Sequence, residues 1–293
     1  TRFATPFVPP LGLAGPNAQT IVSSMGRKLI KPRWRQAFQS AAEELTIEVC
    51  GVKLVVHLNR ASTASAPLIM IIPGWLGDAS STYVLSGAHT FHRHNFNVAR
   101  IVLRDHGDTA HLNPGLFHSA MIDEVVALVA QLRAMFPGVQ AGLIGHSMGG
   151  NFALRVARAL PDLPTLAVCP AVSPQDTVQA ILRSPIYERY FVTKWRKLWR
   201  RKEAAYPELY DFSSVMRLSS MLSLTDYFIR EQTDFDNAAD YYAAYNLTGD
   251  GLQGVHAHIL ASADDPIIPA AMYRQLPDTI SVDLIDQGGH GAF

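Results

Sequence analysis

The chain has 293 residues, of which 48% are hydrophobic, and this suits one large domain with a well-buried core. Lysine plus arginine and aspartate plus glutamate both number 25, so the formal net charge is zero. That balance argues against long-range attraction to nucleic acid or to an anionic membrane, and it favours a small, largely neutral partner.

Short apolar runs bounded by turn residues predict eight strands. In chain order they are Leu45–Cys50, Val52–Leu58, Leu68–Ile72, Val98–Leu103, Ala141–Ile144, Leu166–Cys169, Ala257–Ala261 and Ile280–Ile285. The first two predict a hairpin that turns near Gly51. Unbroken apolar runs such as the third are typical of strands buried on both faces, and the last strand alternates as an edge strand does. We interpret the Pro- and Gly-interrupted N-terminal arm as irregular.

Helical periodicity separates several of these strands, as in Ala120–Phe136 and Asn151–Leu160. Repeated alternation of strand and helix predicts an α/β fold with a mostly parallel sheet flanked by helices. One stretch departs from this rhythm. Residues 176–245, between the sixth and seventh strands, are rich in helix formers and aromatics. We interpret them as a helical cap insertion within a single domain of residues 1–293.

Residues 145–149 read Gly-His-Ser-Met-Gly, a Gly-x-Ser-x-Gly pattern between an apolar run and a helical one. In that setting Ser147 occupies a strained turn that projects its hydroxyl above the sheet. Gly145 and Gly149 remove the Cβ atoms that would collide with the packed strand and helix. We therefore predict Ser147 as a catalytic nucleophile, the alternative being a glycine-rich turn without chemistry.

Attack by a serine creates an oxyanion that needs two preorganised N–H donors. The first is predicted to be the backbone N–H of Met148, directly after the nucleophile. The loop after the third strand reads PGWLG at residues 73–77. Gly74 lets this loop turn the N–H of Trp75 inward as the second donor. The alternative is an ordinary Pro-Gly turn with a packing tryptophan.

The base is expected after the last strand, because such sites follow the chain order serine, acid, histidine. Residues 286–290 read Asp-Gln-Gly-Gly-His, and the two glycines allow the loop to carry His290 over Ser147. Of the eleven histidines, only this one stands in the expected place. We predict His290 as the catalytic base.

Two adjacent carboxylates follow the seventh strand, and both cannot hold one imidazole. Asp265 stands directly before Pro-Ile-Ile-Pro, where the usual pattern places the acid, so we prefer Asp265. Asp264 is then expected to face water or to cap the next helix. Asp176, after the sixth strand, is the remaining alternative.

Together these motifs resemble the α/β-hydrolase superfamily over most of the chain. Four features resemble its YheT-like branch, whose members act on carboxyl and lipid esters: PNAQT at 16–20, PGWLG at 73–77, RDHGD at 104–108 and the pair Tyr241-Tyr242. The resemblance implies the α/β-hydrolase fold and hydrolysis of acyl esters, a reaction for which we expect no cofactor. Members of this branch normally continue into a final helix, so we expect the protein to extend past Phe293.

Two histidine patterns are candidates for a metal site. His89, His92 and His94 fall on or beside a predicted surface helix, and His256 and His258 alternate along a strand. Zinc sites need three or four convergent ligands, usually including cysteine or carboxylate, so we predict no metal.

The basic and aromatic stretch Lys194–Lys202 has two interpretations. In one it makes peripheral contact with a lipid surface. In the other it is a cap helix with Trp195 and Trp199 packed inward at i and i+4, and we prefer this second interpretation.

Cysteine usage and terminal composition bear on the compartment. Cys50 and Cys169 are the two cysteines, and both fall in apolar strand-like stretches, which predicts buried thiols instead of a disulfide. No apolar run reaches the roughly 20 residues that cross a bilayer, and the N-terminus lacks the apolar core of a signal peptide. We therefore expect a cytoplasmic protein.

The main functional hypothesis is a serine hydrolase that cleaves carboxylic (acyl or lipid) esters of a small molecule through an acyl-enzyme intermediate. One alternative is a thioesterase or amidase with the same triad. The other is a non-catalytic binding module on the same fold. We prefer catalysis because a binding module has no need of a strained turn at Ser147. Nothing in the sequence predicts nucleic-acid binding.

Overall fold

The computed structural model describes residues 7–26 and 32–293, and an eight-stranded sheet forms its centre. The strands are β1 Glu43–Val49, β2 Val52–Asn59, β3 Leu68–Ile72, β4 Asn97–Val102, β5 Ala141–His146, β6 Thr165–Val168, β7 Ala257–Ser262 and β8 Ile280–Ile285. Their order across the sheet is β1-β2-β4-β3-β5-β6-β7-β8. β2 pairs antiparallel with β1 and with β4, and every other pairing is parallel. The predicted strands are confirmed to within two residues at each end.

Helices flank this sheet: α1 Pro16–Ile21, α2 Arg33–Ser40, α3 Thr82–Arg93, α4 Asp123–Ala134, α5 Met148–Ala159, α6 Pro174–Leu182, α7 Pro185–Ala205, α8 Met221–Gln232 and α9 Ala238–Ala243. The helices predicted at Ala120–Phe136 and Asn151–Leu160 are confirmed as α4 and α5. The prediction of an irregular N-terminal arm is wrong, because α1 begins there. Proline suits the first turn of a helix, where no N–H is needed.

The two faces of the sheet bury different apolar side chains, as the two-residue period of a strand requires. In β3, Leu68, Met70 and Ile72 pack in one cluster with apolar residues of α4. Ile71 packs in the other cluster, with apolar residues of α3. Burial on both faces accounts for the unbroken apolar run of this strand.

A third apolar cluster is formed mostly by the chain between β6 and β7, the stretch that contains α6 to α9, and it also includes Leu116. Its centre is aromatic: Trp199 is 0% exposed and stacks on Phe212 with ring centroids 5.4 Å apart. Trp195 is also buried and contacts Phe228. The prediction that Trp195 and Trp199 pack inward is therefore confirmed.

The carboxyl ends of the parallel strands meet at one edge of the sheet, where ligands bind in open α/β folds. Ser147 directly follows β5, and Cys169 directly follows β6. Asp265 and His290 lie in the loops after β7 and β8. Topology thus brings residues that are distant in sequence to one edge.

The prediction of two buried thiols is wrong for Cys50, which is exposed, whereas Cys169 is buried. Val49 pairs with Val52, so Cys50 and Gly51 form a two-residue hairpin turn, both at positive φ. Such a turn lies outside the ladder, and its side chains face water. Both cysteines are free thiols.

In the part of the chain that the structure describes, no helix combines the length and the apolar character that a bilayer crossing requires.

Candidate active site

Ser147 occupies the turn between β5 and α5 with φ 55° and ψ −119°. An L residue adopts this conformation only at a cost of about 1–3 kcal/mol, and surrounding structure must enforce it. A Cβ atom on Gly145 would lie 2.1 Å from the carbonyl oxygen of Gly149, and one on Gly149 would lie 2.3 Å from the carbonyl oxygen of Pro73. Only glycine fits at these two positions, so strand and helix approach closely enough to form the strained turn.

Asp265 holds His290 through a hydrogen bond of 2.7 Å between Oδ2 and Nδ1. The second carboxylate oxygen of Asp265 accepts the backbone N–H groups of Ile267 and Ile268 at 2.8 and 2.9 Å. Because the Asp265 side chain is only 1% exposed, these bonds fix its orientation in a dry environment. With Nδ1 engaged in this way, Nε2 of His290 is left to exchange a proton.

Ser147 and His290 line the same cavity, whose volume is about 390 Å³. The structure therefore brings the predicted nucleophile and base to one space and ties the base to Asp265. Asp176 is engaged elsewhere, since its carboxylate accepts the hydroxyl of Ser173 at 2.7 Å where α6 begins.

The loop after β3 contributes Gly74, Trp75 and Gly77 to the wall of this cavity. The N–H of Gly74 donates to the hydroxyl of Tyr83 at 2.9 Å, so it is already engaged. Burial raises the pKa of Tyr83 to about 12, which keeps its hydroxyl protonated near neutral pH. Within residues 7–26 and 32–293, the N–H groups of Trp75 and Met148 have no hydrogen-bond acceptor, and both residues line the cavity. Among the described residues, both predicted oxyanion donors thus keep an N–H group that is free to bond to a ligand.

The prediction that Asp264 faces water or caps the next helix is wrong, because both of its carboxylate oxygens are bonded within the protein. Its Oδ1 accepts the backbone N–H of Gly289 at 2.8 Å, and its Oδ2 accepts the side-chain amide of Gln19 at 3.3 Å. The two adjacent carboxylates therefore bond to different groups of the same loop. Asp265 bonds to the imidazole of His290, and Asp264 bonds to the backbone of Gly289.

Sequence reasoning also missed the surroundings of the acid. Cys169 lies beside Asp265 and His290, and their potential ligand atoms are within 4.8 Å of one another. Burial, followed by the charge of Asp265, raises the pKa of the Cys169 thiol well above its usual range. The thiol is therefore protonated, and it presents no second anion to the imidazole. The only sequence feature that indicates the placement of Cys169 beside Asp265 is its position directly after a central strand.

Two other histidines line the cavity. Burial, followed by the nearby His290, lowers the pKa of His146 to about 4. Burial, followed by the charges of Arg104 and Arg155, lowers the pKa of His118 to about 4. Both imidazoles are therefore uncharged near neutral pH, so neither adds a positive charge to the cavity wall.

The RDHGD segment bonds to two elements that contribute to the cavity wall. Asp105, at φ 62°, accepts the N–H of Phe117 and the ammonium of Lys202, both at 2.8 Å. Lys202 is 0% exposed and also donates to the carbonyl oxygens of Asn113 and Gly115 at 2.5 and 2.9 Å. Since Lys202 belongs to α7, this buried ion pair joins that helix to the loop whose residues 117–119 line the cavity.

Aromatic and aliphatic side chains form most of the cavity wall. Those from residues 176–245 are Val178, Ile181, Ile186, Tyr187, Tyr190, Phe191, Trp195, Leu198, Met221, Phe228, Tyr241, Tyr242 and Tyr245. Phe191 stacks on Trp75 with ring centroids 5.4 Å apart, so α7 lies directly against the loop that carries a predicted oxyanion donor. The site is therefore an apolar space with a few convergent polar groups, as small-molecule sites generally are.

Comparison with known proteins agrees with this architecture. The model of the alpha/beta hydrolase family matches residues 68–293. A Haemophilus influenzae protein provisionally named an esterase/lipase is 27% identical over 142 residues, covering 48% of this chain and 46% of that protein. Mouse phospholipase ABHD3 is 21% identical over 244 residues, covering 78% and 59% of the two chains. The chain thus spans about half the length of these curated relatives.

A solved structure supports the fold independently. A serine hydrolase from Cycloclasticus zankles superposes with a TM-score of 0.56 at 16% identity, covering 86% of this chain and 92% of that one. At such low identity the superposition shows the fold alone. The family model matches residues 68–293, and the order of the sheet and the turn at Ser147 agree with it, so this protein belongs to the alpha/beta hydrolase family.

Proposed function

We propose that the protein hydrolyses carboxylic esters, with Ser147 as nucleophile, His290 as general base and Asp265 as the acid that orients the base. The observation that carries this proposal is the 2.7 Å bond between Asp265 and His290 at the cavity that Ser147 also lines. A carboxylate with its other oxygen fixed by two backbone N–H groups holds the imidazole in one tautomer, as a serine triad requires.

In the proposed reaction, Oγ of Ser147 forms a bond to the carbonyl carbon as its proton passes to Nε2 of His290. The tetrahedral oxyanion accepts the N–H groups of Trp75 and Met148. Collapse of the tetrahedral intermediate breaks the bond between the carbonyl carbon and the alcohol oxygen. The alcohol leaves with the proton from His290. Water then attacks the acyl-enzyme, with His290 again as base. The products are the carboxylic acid, the alcohol and the regenerated serine.

The wall of the cavity favours an ester with an apolar acyl group. Most side chains that line it are aromatic or aliphatic, and both His118 and His146 are uncharged near neutral pH. The formal net charge of the chain is zero, so it provides no long-range attraction to a polyanion. Two of the curated relatives are named an esterase/lipase and a phospholipase. An acyl or lipid ester is therefore the substrate class we infer, and a small molecule is the partner.

We further propose that residues 176–245 act as a cap within the single domain. Side chains from α6, α7 and α8 and the residues around α9 line the cavity that holds Ser147 and His290. Insertions that cover a site in this way commonly set substrate range, because they supply the wall and not the reacting groups.

A panel of p-nitrophenyl esters with short, medium and long acyl chains, together with acyl-CoA thioesters and glycerolipids, tests this function. We expect hydrolysis of the esters by the wild-type protein and none above background by Ser147→Ala. Turnover of the acyl-CoA thioesters alone would overturn the assignment in favour of a thioesterase. No turnover of any compound by folded protein would support a binding role on the same fold.

A further inference from the structure

Helix α1 lies against the loop that carries His290, which we define as residues 286–291. The hydroxyl oxygen of Thr20 accepts the backbone N–H of His290 at 2.8 Å. A Cβ atom on Gly289 would lie 2.6 Å from that hydroxyl oxygen and 2.7 Å from the carbonyl oxygen of Pro16. The helix and the loop are therefore in direct contact, at a distance that only glycine at position 289 allows.

The direction of the Thr20 hydroxyl is fixed by its second bond. Oγ1 donates to the carbonyl oxygen of Pro16 at 2.8 Å, one turn earlier in the helix. Because its proton is used in this bond, a lone pair is directed to the N–H of His290. Thr20 is 5% exposed, so water does not readily replace it as the acceptor.

Gln19, the neighbour of Thr20, makes a second link between α1 and the same loop. Its side-chain amide donates to Asp264 at 3.3 Å, and Asp264 in turn accepts the N–H of Gly289 at 2.8 Å. Gln19 also donates to the carbonyl oxygen of Ala14 at 2.9 Å, which holds the amide in place. Two consecutive backbone N–H groups of the loop, those of residues 289 and 290, are thus bonded to side chains.

The other hydrogen bonds to the loop backbone act on carbonyl oxygens: the hydroxyl of Ser262 donates to Gly289, and the N–H of Ala292 donates to Gly288. Gly288, Gly289 and Gly291 all have positive φ, a conformation in which the chain gains no support from regular secondary structure. Asp265 restrains the far end of the His290 side chain, but that bond alone leaves the imidazole able to pivot about Nδ1. A restraint at the backbone N–H of His290 limits this pivoting and so bears on where Nε2 points.

We propose that Thr20 is a positioning residue for the catalytic base, acting through the backbone of His290. This inference rests on the proposed function, because it requires His290 to be the base. It also reaches outside the matched part of the chain, since α1 precedes the residues 68–293 that fit the family model. A displacement of a reacting group by about 1 Å can cost about 100-fold in rate, so a contact remote from the substrate can control turnover.

The test compares Thr20→Val with Thr20→Ser in steady-state ester hydrolysis. Valine keeps the shape of threonine but cannot accept a hydrogen bond, whereas serine keeps the hydroxyl. We expect kcat to fall by about tenfold or more in Thr20→Val and to stay within about threefold of wild type in Thr20→Ser. KM is expected to change little in both, because the hydroxyl acts on the base. Labelling of Ser147 by a fluorophosphonate should slow in parallel with kcat.

A matched control is available on α3. Thr90 is exposed, and its hydroxyl likewise donates to the carbonyl oxygen one turn earlier, that of Ser86 at 2.9 Å. Thr90→Val removes the same intrahelical bond far from the loop, and we expect wild-type kcat. Equal kcat in wild type, Thr20→Val and Thr20→Ser would overturn the positioning role while leaving the ester hydrolase intact. Absence of hydrolysis in the wild type would instead refute the proposed function itself.

Folding is checked by circular dichroism and thermal melting of each variant. If Thr20→Val does not fold, Thr20→Ala replaces it, because alanine leaves out the methyl groups that valine places against the N–H of His290. A folded Thr20→Ala with reduced kcat and unchanged KM supports the proposal. Loss of the fold in both variants contradicts it, since the hydroxyl would then serve the structure as a whole.

Discussion

Asp264 and Asp265 are adjacent and chemically identical, yet they bond to different groups because their environments differ. Asp265 bonds to the imidazole of His290 and is 1% exposed, whereas Asp264 is half-buried and bonds to the N–H of Gly289. Successive side chains at the end of a strand point in different directions, so only one of the two can reach the ring.

We expect Asp265→Asn to reduce kcat by about 10⁴, because the amide keeps the size of the carboxylate but can fix the wrong tautomer of His290. Asp264→Asn should lose about tenfold or less, since its amide oxygen can still accept the N–H of Gly289. Steady-state kinetics on the two purified variants measures both. A large loss in Asp264→Asn would place the acid one residue earlier.

At the scale of elements, the ion pair between Lys202 and Asp105 joins α7 to the loop after β4. Both side chains are 0% exposed, and the ammonium bonds to the carboxylate at 2.8 Å. Burial lowers the pKa of Lys202 and raises the pKa of Asp105, while each partner opposes the shift of the other. Contact with the partner is the largest effect that keeps each group charged, and removing one partner leaves a buried charge without its counter-ion.

Lys202→Met is accordingly expected to lower the free energy of unfolding by about 3–5 kcal/mol. Adding Asp105→Asn to Lys202→Met should recover part of that loss, because the unpaired carboxylate is then removed. Lys197→Met, an exposed change on the same helix, serves as the control and should have little effect. Urea denaturation of the variants measures these differences. If Lys202→Met were as stable as Lys197→Met, the ion pair would not stabilise the contact between helix and loop.

At the scale of the whole molecule, three histidines, His106 buried and His118 and His146 half-buried, make stability depend on pH. Burial is the largest cause that lowers the pKa of His106, His118 and His146 from 6.5 to about 4. Between these two pH values the unfolded chain binds more protons than the folded protein does. Stability is therefore expected to fall as the pH drops from 6.5 toward 4.

The variant His106→Asn tests this dependence, because the asparagine amide can replace the ring N–H that donates to the carbonyl oxygen of Arg104. We expect a smaller fall of the thermal midpoint between pH 6.5 and pH 4 than in wild type, since one buried group no longer titrates. His111→Asn, an exposed change, is the control. An identical pH dependence in His106→Asn and wild type would contradict the assignment of His106.

The sheet and the turn at Ser147 were predictable because their physical requirements are local. A strand buried on both faces must be apolar throughout, as in Leu68–Ile72, and a close crossing of strand and helix needs glycines at fixed spacing. The exposure of Cys50 was misjudged, since its place in a two-residue turn depends on the register of β1 with β2.

Contacts between distant segments were not predictable from local patterns. Asp264 bonds to Gln19, 245 positions away in the chain, and Thr20 meets the N–H of His290 across 270 positions. Nothing near either residue in the sequence specifies such a partner. The motif PNAQT was visible only as a resemblance, and its role as a support for the histidine loop needed the structure.

The most direct test of the account is labelling of the wild-type protein and Ser147→Ala with a fluorophosphonate probe, followed by mass spectrometry of the labelled peptide. The probe reacts with a serine that a neighbouring base activates. We predict one adduct, on Ser147, in the wild type and no adduct in folded Ser147→Ala. An adduct on another residue, or a folded wild-type protein that takes no label, would contradict the assignment of Ser147 as the nucleophile.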